Sequence, residues 1–163
     1  MAGQIVNQAQ TATPGTPVTV LHVSTTSQAT TGTSEEVLAT YTMPANTLSA
    51  NGKAIRVTAW GTAAANANTK TVRIRFGGIG GATVSINSGN FNATPFRAVA
   101  EIVRTGAATQ TASGTNTWNV NPQTTYGEPT QTLSNAVDVV VTGLTPTAAG
   151  DLTFKGMIVE ALN

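Results

Sequence analysis

The sequence contains no cysteine and very few charged residues. The lack of cysteine in 163 residues excludes both a disulfide framework and a thiolate metal site. Charged residues make up only 9% of the chain, against about 25% in an ordinary globular domain. The net charge of +1 provides no basic patch that could neutralise several phosphates, so we expect no nucleic-acid partner.

Long apolar runs and helical periodicity are missing as well. No stretch approaches about 18 consecutive apolar residues, so we expect no membrane-spanning helix and no membrane partner. The first residues, MAGQIVNQAQTATPGTP, lack the basic and apolar regions of a secretory signal. We therefore expect a soluble protein that is made in the cytoplasm of its host cell.

Residues suited to catalysis are scarce. His22 is the only histidine, and on a predicted strand it shares a face with Val18 and Val20, which favours a partly buried structural role. The carboxylates do not form the closely spaced cluster that a calcium site requires. We therefore predict that the protein is not an enzyme and holds no metal or cofactor.

What the chain does contain is alternation of apolar and polar residues with a period of two. Along residues 71–76, Val72, Ile74 and Phe76 point to one side and Arg73 and Arg75 to the other. Burial on one face only is typical of antiparallel sheets. The segments with this pattern are predicted as nine strands, at residues 18–23, 36–43, 54–60, 71–76, 82–86, 96–105, 117–120, 136–142 and 152–161.

This pattern predicts an all-β fold with two antiparallel sheets. A jelly-roll-like sandwich is the first choice, and an immunoglobulin-like sandwich is the second. Pro14, Gly15 and Pro17 interrupt the start of the chain, so residues 1–17 are predicted as an extended N-terminal arm. Residues 18–163 are then one domain.

Three shorter stretches have mainly structural interpretations. The glycine-rich segment FGGIGGA (76–82) leads into another strand rather than a helix, so we predict a hairpin turn, not a phosphate site. Residues 61–69 carry no charge and are predicted to connect the two sheets, with a possible contact to a neighbouring subunit. Lys70, Arg73 and Arg75 are predicted to form an exposed basic face.

Two regions are candidates for partner binding. Trp118 and Tyr126 flank a loop-like stretch, where exposed aromatic rings could stack on sugars or anchor a partner protein. Trp118 could equally fill the core at a strand end. In the arm, Gln4, Ile5 and Val6 could pair with the exposed sheet edge of a neighbouring chain.

Residues 37–78, VLATYTMPANTLSANGKAIRVTAWGTAAANANTKTVRIRFGG, resemble a module found in virion proteins of tailed bacteriophages. The similarity lies in the order of a strand ending in YTMPANTL, the turn SANG, a strand ending in AWGT and the strand KTVRIRFGG. Such modules occur in capsid decoration proteins and in tail-fibre or tail-tip proteins, typically as jelly-roll-like trimers.

The resemblance implies a structural protein of the virion without catalytic residues. The first expectation is a homotrimer that decorates or cements the capsid, with itself and the major capsid protein or another virion protein as partners. The alternative is a tail-fibre or tail-tip module that recognises a host surface glycan. The absence of a heptad stalk or a collagen-like repeat favours the compact decoration protein.

Overall fold

The computed structural model describes residues 18–162, and the regular secondary structure of this part consists of β-strands. No helix long and apolar enough to cross a membrane occurs within it. The strands are β1 (Thr19–Ser24), β2 (Gln28–Ala29), β3 (Glu36–Met43), β4 (Ala54–Ala63), β5 (Lys70–Phe76), β6 (Ala82–Gly89), β7 (Pro95–Gly106), β8 (Thr109–Trp118), β9 (Asn121–Gly127), β10 (Val137–Leu144) and β11 (Leu152–Ala161).

The strands form two antiparallel sheets. The larger sheet has seven strands, in the order β1-β11-β4-β7-β8-β9, with the short β2 also paired to β11. The smaller sheet has four strands, in the order β3-β10-β5-β6. The all-β prediction of two antiparallel sheets is therefore confirmed.

The pairing of strands is that of a jelly roll. The first strand pairs with the last, β3 pairs with β10, β4 with β7, and β5 with β6. These pairs belong alternately to the larger and the smaller sheet, as in a long antiparallel ribbon rolled into a sandwich. The β8–β9 hairpin is inserted into this ribbon and extends the larger sheet.

The inner faces of the two sheets form the hydrophobic core. Val72, Ile74 and Phe76 of β5 are all 0% exposed, as the alternation along residues 71–76 predicted. Ile55 and Val57 of the larger sheet are also fully buried and belong to the same cluster. The period of two therefore identified the buried face of these strands correctly.

The glycine-rich segment forms the tip of the rolled ribbon. Gly77 and Gly78 have φ angles of 103° and 76°, which residues with a side chain rarely adopt, and they connect β5 to β6. The predicted hairpin turn is confirmed. Residues 64–69 cross from β4 in the larger sheet to β5 in the smaller one, so the predicted connection between sheets is confirmed too.

A β-bulge in β1 corrects the predicted position of His22. Val20 pairs with Glu160 and His22 with Val159, so Leu21 is skipped and His22 lies on the opposite face from Val20. The His22 ring stacks on Tyr41 of β3 at a centroid distance of 5.1 Å. The prediction of a shared face was wrong, whereas the partial burial of His22 is confirmed.

The β8–β9 hairpin was not predicted. Residues 117–120 were expected to be one strand, but Thr117 and Trp118 end β8, and Asn119 lies in the turn with a φ of 51°. These strands consist mainly of threonine, asparagine, glycine and glutamine, so they lack a clear apolar alternation. A Cβ atom on Gly114 would lie 2.0 Å from the main-chain oxygen of Val84, so β8 packs tightly against β6.

Candidate functional site

Tyr126 lies on the outer face of the larger sheet, at its edge. It belongs to β9, where it pairs with Ser113, an exposed residue between the buried Ala112 and Gly114. The side chain of Tyr126 is therefore directed away from the core, and the residue is 68% exposed. Its position at an outer strand leaves one side of the ring accessible to a ligand.

A cleft of about 450 Å³ lies beside this ring. The turn between β7 and β8 forms one wall, and the segment that follows β9 forms the other. Hydroxyl groups dominate the lining, and one carboxylate accompanies them. The lining includes Thr105, Thr109, Thr111, Thr130, Tyr126 and Glu128.

Hydrogen bonds fix the Tyr126 ring within the cleft. The Tyr126 hydroxyl donates to Oε1 of Glu128 at 2.7 Å. On the opposite wall, the Thr105 hydroxyl donates to the Thr109 hydroxyl at 3.1 Å. The Tyr126 ring is therefore tethered at its hydroxyl, although most of the residue is in water.

Gln110 attaches the second wall of the cleft to the start of β8. Its amide donates to the main-chain oxygen of Gln131 at 2.8 Å, and its Oε1 accepts from the Gln131 main-chain N–H at 2.9 Å. The Gln110 main-chain N–H also donates to the main-chain oxygen of Pro129 at 3.0 Å. Because Gln110 is only 2% exposed, these bonds are shielded from water, and the wall is held in place before any ligand arrives.

Trp118 belongs to the core and not to an exposed loop. It is 0% exposed, and its ring stacks on Phe91 with centroids 4.2 Å apart. Phe96 packs against the same ring at 5.1 Å. The structure thus places Trp118 and Tyr126 on opposite faces of one hairpin, and a sugar has no access to the Trp118 ring.

Sequence reasoning identified Tyr126 but missed the residues that shape its cleft. Glu128 is the one acidic residue between positions 102 and 137, and it stands two residues after the tyrosine. This isolated negative charge was the sequence feature that could have indicated Glu128 as a residue of the site. The threonines of the opposite wall could not be recognised because the hairpin that carries them was not predicted.

The edge strand β1 forms a second exposed surface. Val18, Val20 and Val23 are 52%, 56% and 56% exposed. Within residues 18–162, β1 pairs on one side only, with β11, and it contains no charged residue. The residues of the predicted arm, Gln4, Ile5 and Val6, lie outside the described part of the chain.

Lys70 is buried rather than part of an exposed basic face. It is 0% exposed, and its Nζ donates to the main-chain oxygens of Asn66 and Asn68, both at 2.9 Å, and to Oδ1 of Asn66 at 2.7 Å. Asp151 accepts from the side-chain amides of Asn66 at 2.7 Å and Asn68 at 2.9 Å. The prediction for Lys70 was wrong because residues 61–69 fold around its ammonium group.

Lys70 and Asp151 have shifted pKa values, but their hydrogen bonds are made within the protein, to Asn66 and Asn68. Burial lowers the pKa of Lys70, while the nearby Asp151 carboxylate acts in the opposite direction. Burial alone would raise the pKa of Asp151, but hydrogen bonds from Asn68 and Asn66 and the charge of Lys70 lower it overall. The polar atoms of residues 61–69 therefore stabilise the connection between the sheets.

The two arginines of β5 share one counter-ion, the carboxylate of Glu35. Arg75 donates from Nε and Nη2 to the two carboxylate oxygens of Glu35 at 2.8 and 2.9 Å, and Nη1 of Arg73 lies 3.2 Å from the same carboxylate. The hydrogen bond from Arg75, opposed by burial and assisted by Thr142 and Arg73, lowers the pKa of Glu35 to about 2. The predicted basic face is therefore an ion-paired cluster, in which both arginine side chains are less than 20% exposed.

No metal centre can be assigned to residues 18–162, where no group of three or more histidine, aspartate or glutamate side chains could hold an ion.

No protein-family model matches the chain, and no curated protein matches it. Among solved structures, the chain is similar to the CBM2 module of the evolved Dit protein of phage J-1 of Lactobacillus casei BL23. The two share 10% identity over 76% of this chain and 69% of that one, with a TM-score of 0.38.

Proposed function

We propose that this protein is a non-catalytic binding module of a bacteriophage virion and that its cleft around Tyr126 binds a glycan of the host surface. One observation carries the proposal. An aromatic ring that is 68% exposed is held by Glu128 above a lining of threonine hydroxyls.

The chemistry of the cleft matches the chemistry of a sugar. A pyranose ring has a flat face of C–H groups, which packs on an aromatic ring, and a rim of hydroxyls, which exchange hydrogen bonds with polar groups. Tyr126 offers the ring, while Thr109, Thr111 and Thr130 offer hydroxyls that both donate and accept. A nearly uncharged cleft of this kind suits an uncharged, polyhydroxylated ligand.

The rigidity of the cleft also supports binding. Gln110 holds the segment after β9 through three hydrogen bonds, so little of that wall must be ordered when a ligand binds. A site fixed in advance loses less conformational entropy on binding than a flexible loop.

The virion context follows from the resemblance of residues 37–78 to a phage module. A module with a glycan-binding cleft would act at the tail, where the phage contacts the surface of its host. For this reason we place the tail-fibre or tail-tip role ahead of the capsid decoration role. The localisation that we propose is the virion in either case.

A glycan array with the full chain tests this proposal. We expect binding to a restricted set of host-type glycans, and we expect Tyr126→Ala to reduce it at least tenfold. Val120→Ala is the matched control, because Val120 is 77% exposed on the same hairpin but does not line the cleft. Absence of binding to every glycan, or equal binding by Tyr126→Ala, would contradict the proposal.

A second candidate function is the homotrimeric capsid decoration or cement protein, and the edge strand β1 favours it. Exposed edge strands usually carry charges or prolines that prevent pairing with other chains. In β1 the exposed positions are instead Thr19, Val20 and Val23, with Val18 directly before the strand. A second copy of the chain, pairing with this edge, would cover these valines and satisfy the unpaired main-chain groups.

Light scattering at micromolar concentration separates the two candidates. If β1 mediates assembly, the wild type is a trimer, and the double variant Val20→Lys/Val23→Lys is a monomer. Val120→Lys adds one positive charge at another exposed valine and should leave the mass unchanged. A wild-type protein that is monomeric at this concentration would exclude this assembly.

The role of the N-terminal arm is tested by measuring how well the protein attaches to virions. We propose that Gln4, Ile5 and Val6 contact the capsid or an adjacent subunit, with main-chain hydrogen bonds to an open sheet edge. Deletion of residues 2–16 should then leave the thermal transition of the β-domain nearly unchanged and sharply weaken attachment to virions. Full occupancy of virions by the shortened protein would refute this role.

A further inference from the structure

The cleft around Tyr126 is lined by one formally charged side chain, and its charge is negative. Among the residues that line it, Glu128 is the charged one, and the remaining polar side chains are neutral hydroxyls and an amide. Glu128 is exposed, and its Oε1 accepts a hydrogen bond from the Tyr126 hydroxyl at 2.7 Å, so the carboxylate lies at the hydroxyl end of the ring. A ligand that stacks on Tyr126 therefore approaches a fixed negative charge.

Two basic side chains of the larger sheet donate to groups outside the cleft. Arg104 precedes the threonine of the first wall, but its Nη1 donates to the main-chain oxygen of Leu48 at 2.6 Å and its Nε to Oδ1 of Asn51 at 3.3 Å. Arg56, on the outer face of the same sheet, donates from Nη2 to Oε1 of Glu101 at 2.7 Å. Neither guanidinium donates a hydrogen bond to Glu128.

We infer that the cleft selects neutral and amino sugars and discriminates against acidic ones such as sialylated or uronic-acid-containing glycans. This inference rests on the proposed glycan-binding function and specifies its ligand class. An anionic substituent placed near the ring meets the Glu128 carboxylate at short range, and like charges repel. Sugar hydroxyls can instead donate to that carboxylate, as can the ammonium of an amino sugar.

The selectivity depends on salt because Glu128 is exposed. Repulsion between solvent-exposed charges is screened over about 10 Å at 0.1 M salt and over about 3 Å at 1 M. Discrimination should therefore be large at low ionic strength and weaken as salt is added. Binding of neutral glycans should change much less under the same conditions.

The test uses matched glycan pairs on an array, each pair differing only by a sialic acid or by oxidation of a hexose to the hexuronic acid. At about 10 mM salt, we expect the wild type to bind the neutral member at least tenfold more tightly. We expect this ratio to fall severalfold at high salt. Equal binding of both members by the wild type would overturn the inference and leave the proposed function intact.

The variant Glu128→Gln isolates the charge. Glutamine keeps an oxygen that accepts the Tyr126 hydroxyl but removes the negative charge, so the preference for neutral over acidic members should disappear, whatever the change in absolute affinity. Glu101→Gln is the matched control, because it removes a carboxylate of the same sheet face outside the cleft and should keep the preference. A preference that survives in Glu128→Gln would overturn the inference, whereas absence of all glycan binding would overturn the proposed function itself.

Discussion

Lys70 donates two hydrogen bonds to one residue, Asn66, at 2.9 Å to its main-chain oxygen and at 2.7 Å to its side-chain oxygen. A fully buried ammonium thus holds the backbone of the connection between the two sheets. Asp151, which accepts from Asn66 and Asn68, balances the charge from the other side. The uncharged stretch before Lys70 in the sequence is therefore organised by a buried ammonium and a carboxylate that both bind Asn66 and Asn68.

Replacing Lys70 by methionine should destabilise the protein by about 3 kcal/mol, because it leaves the oxygens of Asn66 and Asn68 without their donor and the Asp151 carboxylate without a nearby positive charge. Urea-induced unfolding provides the measurement. Lys155→Met is the control, since Lys155 is exposed, and a change below about 0.5 kcal/mol is expected there. A Lys70→Met protein as stable as the wild type would show that the buried cluster contributes little.

Stability should fall in acid as Glu35 becomes protonated. Its pKa is lowered from the ordinary value of 4.5 to about 2, so the ionised carboxylate stabilises the folded state above about pH 4.5. This contribution, about 3 kcal/mol at most, is lost as the pH falls towards 2. The same carboxylate pairs with two arginines, so its loss also leaves them without a counter-charge.

The variant Glu35→Gln measures this contribution. At pH 7 it should unfold at lower urea than the wild type, and the difference in free energy of unfolding should shrink to below about 1 kcal/mol near pH 2.5. Glu160→Gln serves as the matched control, with a small difference expected at every pH. A gap between Glu35→Gln and wild type that is constant with pH would argue against the ion-paired cluster.

Removing the two aromatic side chains of the β8–β9 hairpin should change the free energy of unfolding by very different amounts. Trp118→Ala leaves a cavity between Phe91 and Phe96 and should lower the free energy of unfolding by about 3 to 5 kcal/mol. Tyr126→Ala changes an exposed residue, so its effect on stability should stay near 0.5 kcal/mol. Thermal and urea unfolding of both variants check this, and a severe loss in Tyr126→Ala would mean that the residue is structural.

The contact between β8 and β6 should not tolerate a side chain at Gly114. The Cβ of an alanine there would lie 2.0 Å from the main-chain oxygen of Val84, so the hairpin must shift away from the smaller sheet. We expect Gly114→Ala to destabilise the protein by about 3 kcal/mol. Gly80→Ala, where no atom lies within 4 Å of the added Cβ, should have little effect on the melting temperature.

Local patterns in the sequence were sufficient for the fold class and for many buried faces. Alternation along β5 identified Val72, Ile74 and Phe76 as core residues, and all three are 0% exposed. The glycines of residues 76–82 identified a hairpin tip because their φ angles are open to few other residues. Of the candidate site, the sequence supplied Tyr126 but neither Glu128 nor the threonine wall.

The sequence by itself determined the features that depend on neighbours one or two positions away, which are strand periodicity, turn residues and the low charge. The tertiary structure decided the burial of Lys70 and Trp118 and the neutralisation of Arg75. It did so because each of these groups depends on residues from distant parts of the chain: Glu35 is 40 positions from Arg75, and Asp151, which completes the cluster around Lys70, is 85 positions from Asn66. The bulge at Leu21 reversed the face of His22 for the same reason, since the pairing with β11 sets it. The alternation of residues along a strand does not indicate which distant side chain completes a hydrogen bond or covers a ring. These contacts are determined by the packing of the two sheets.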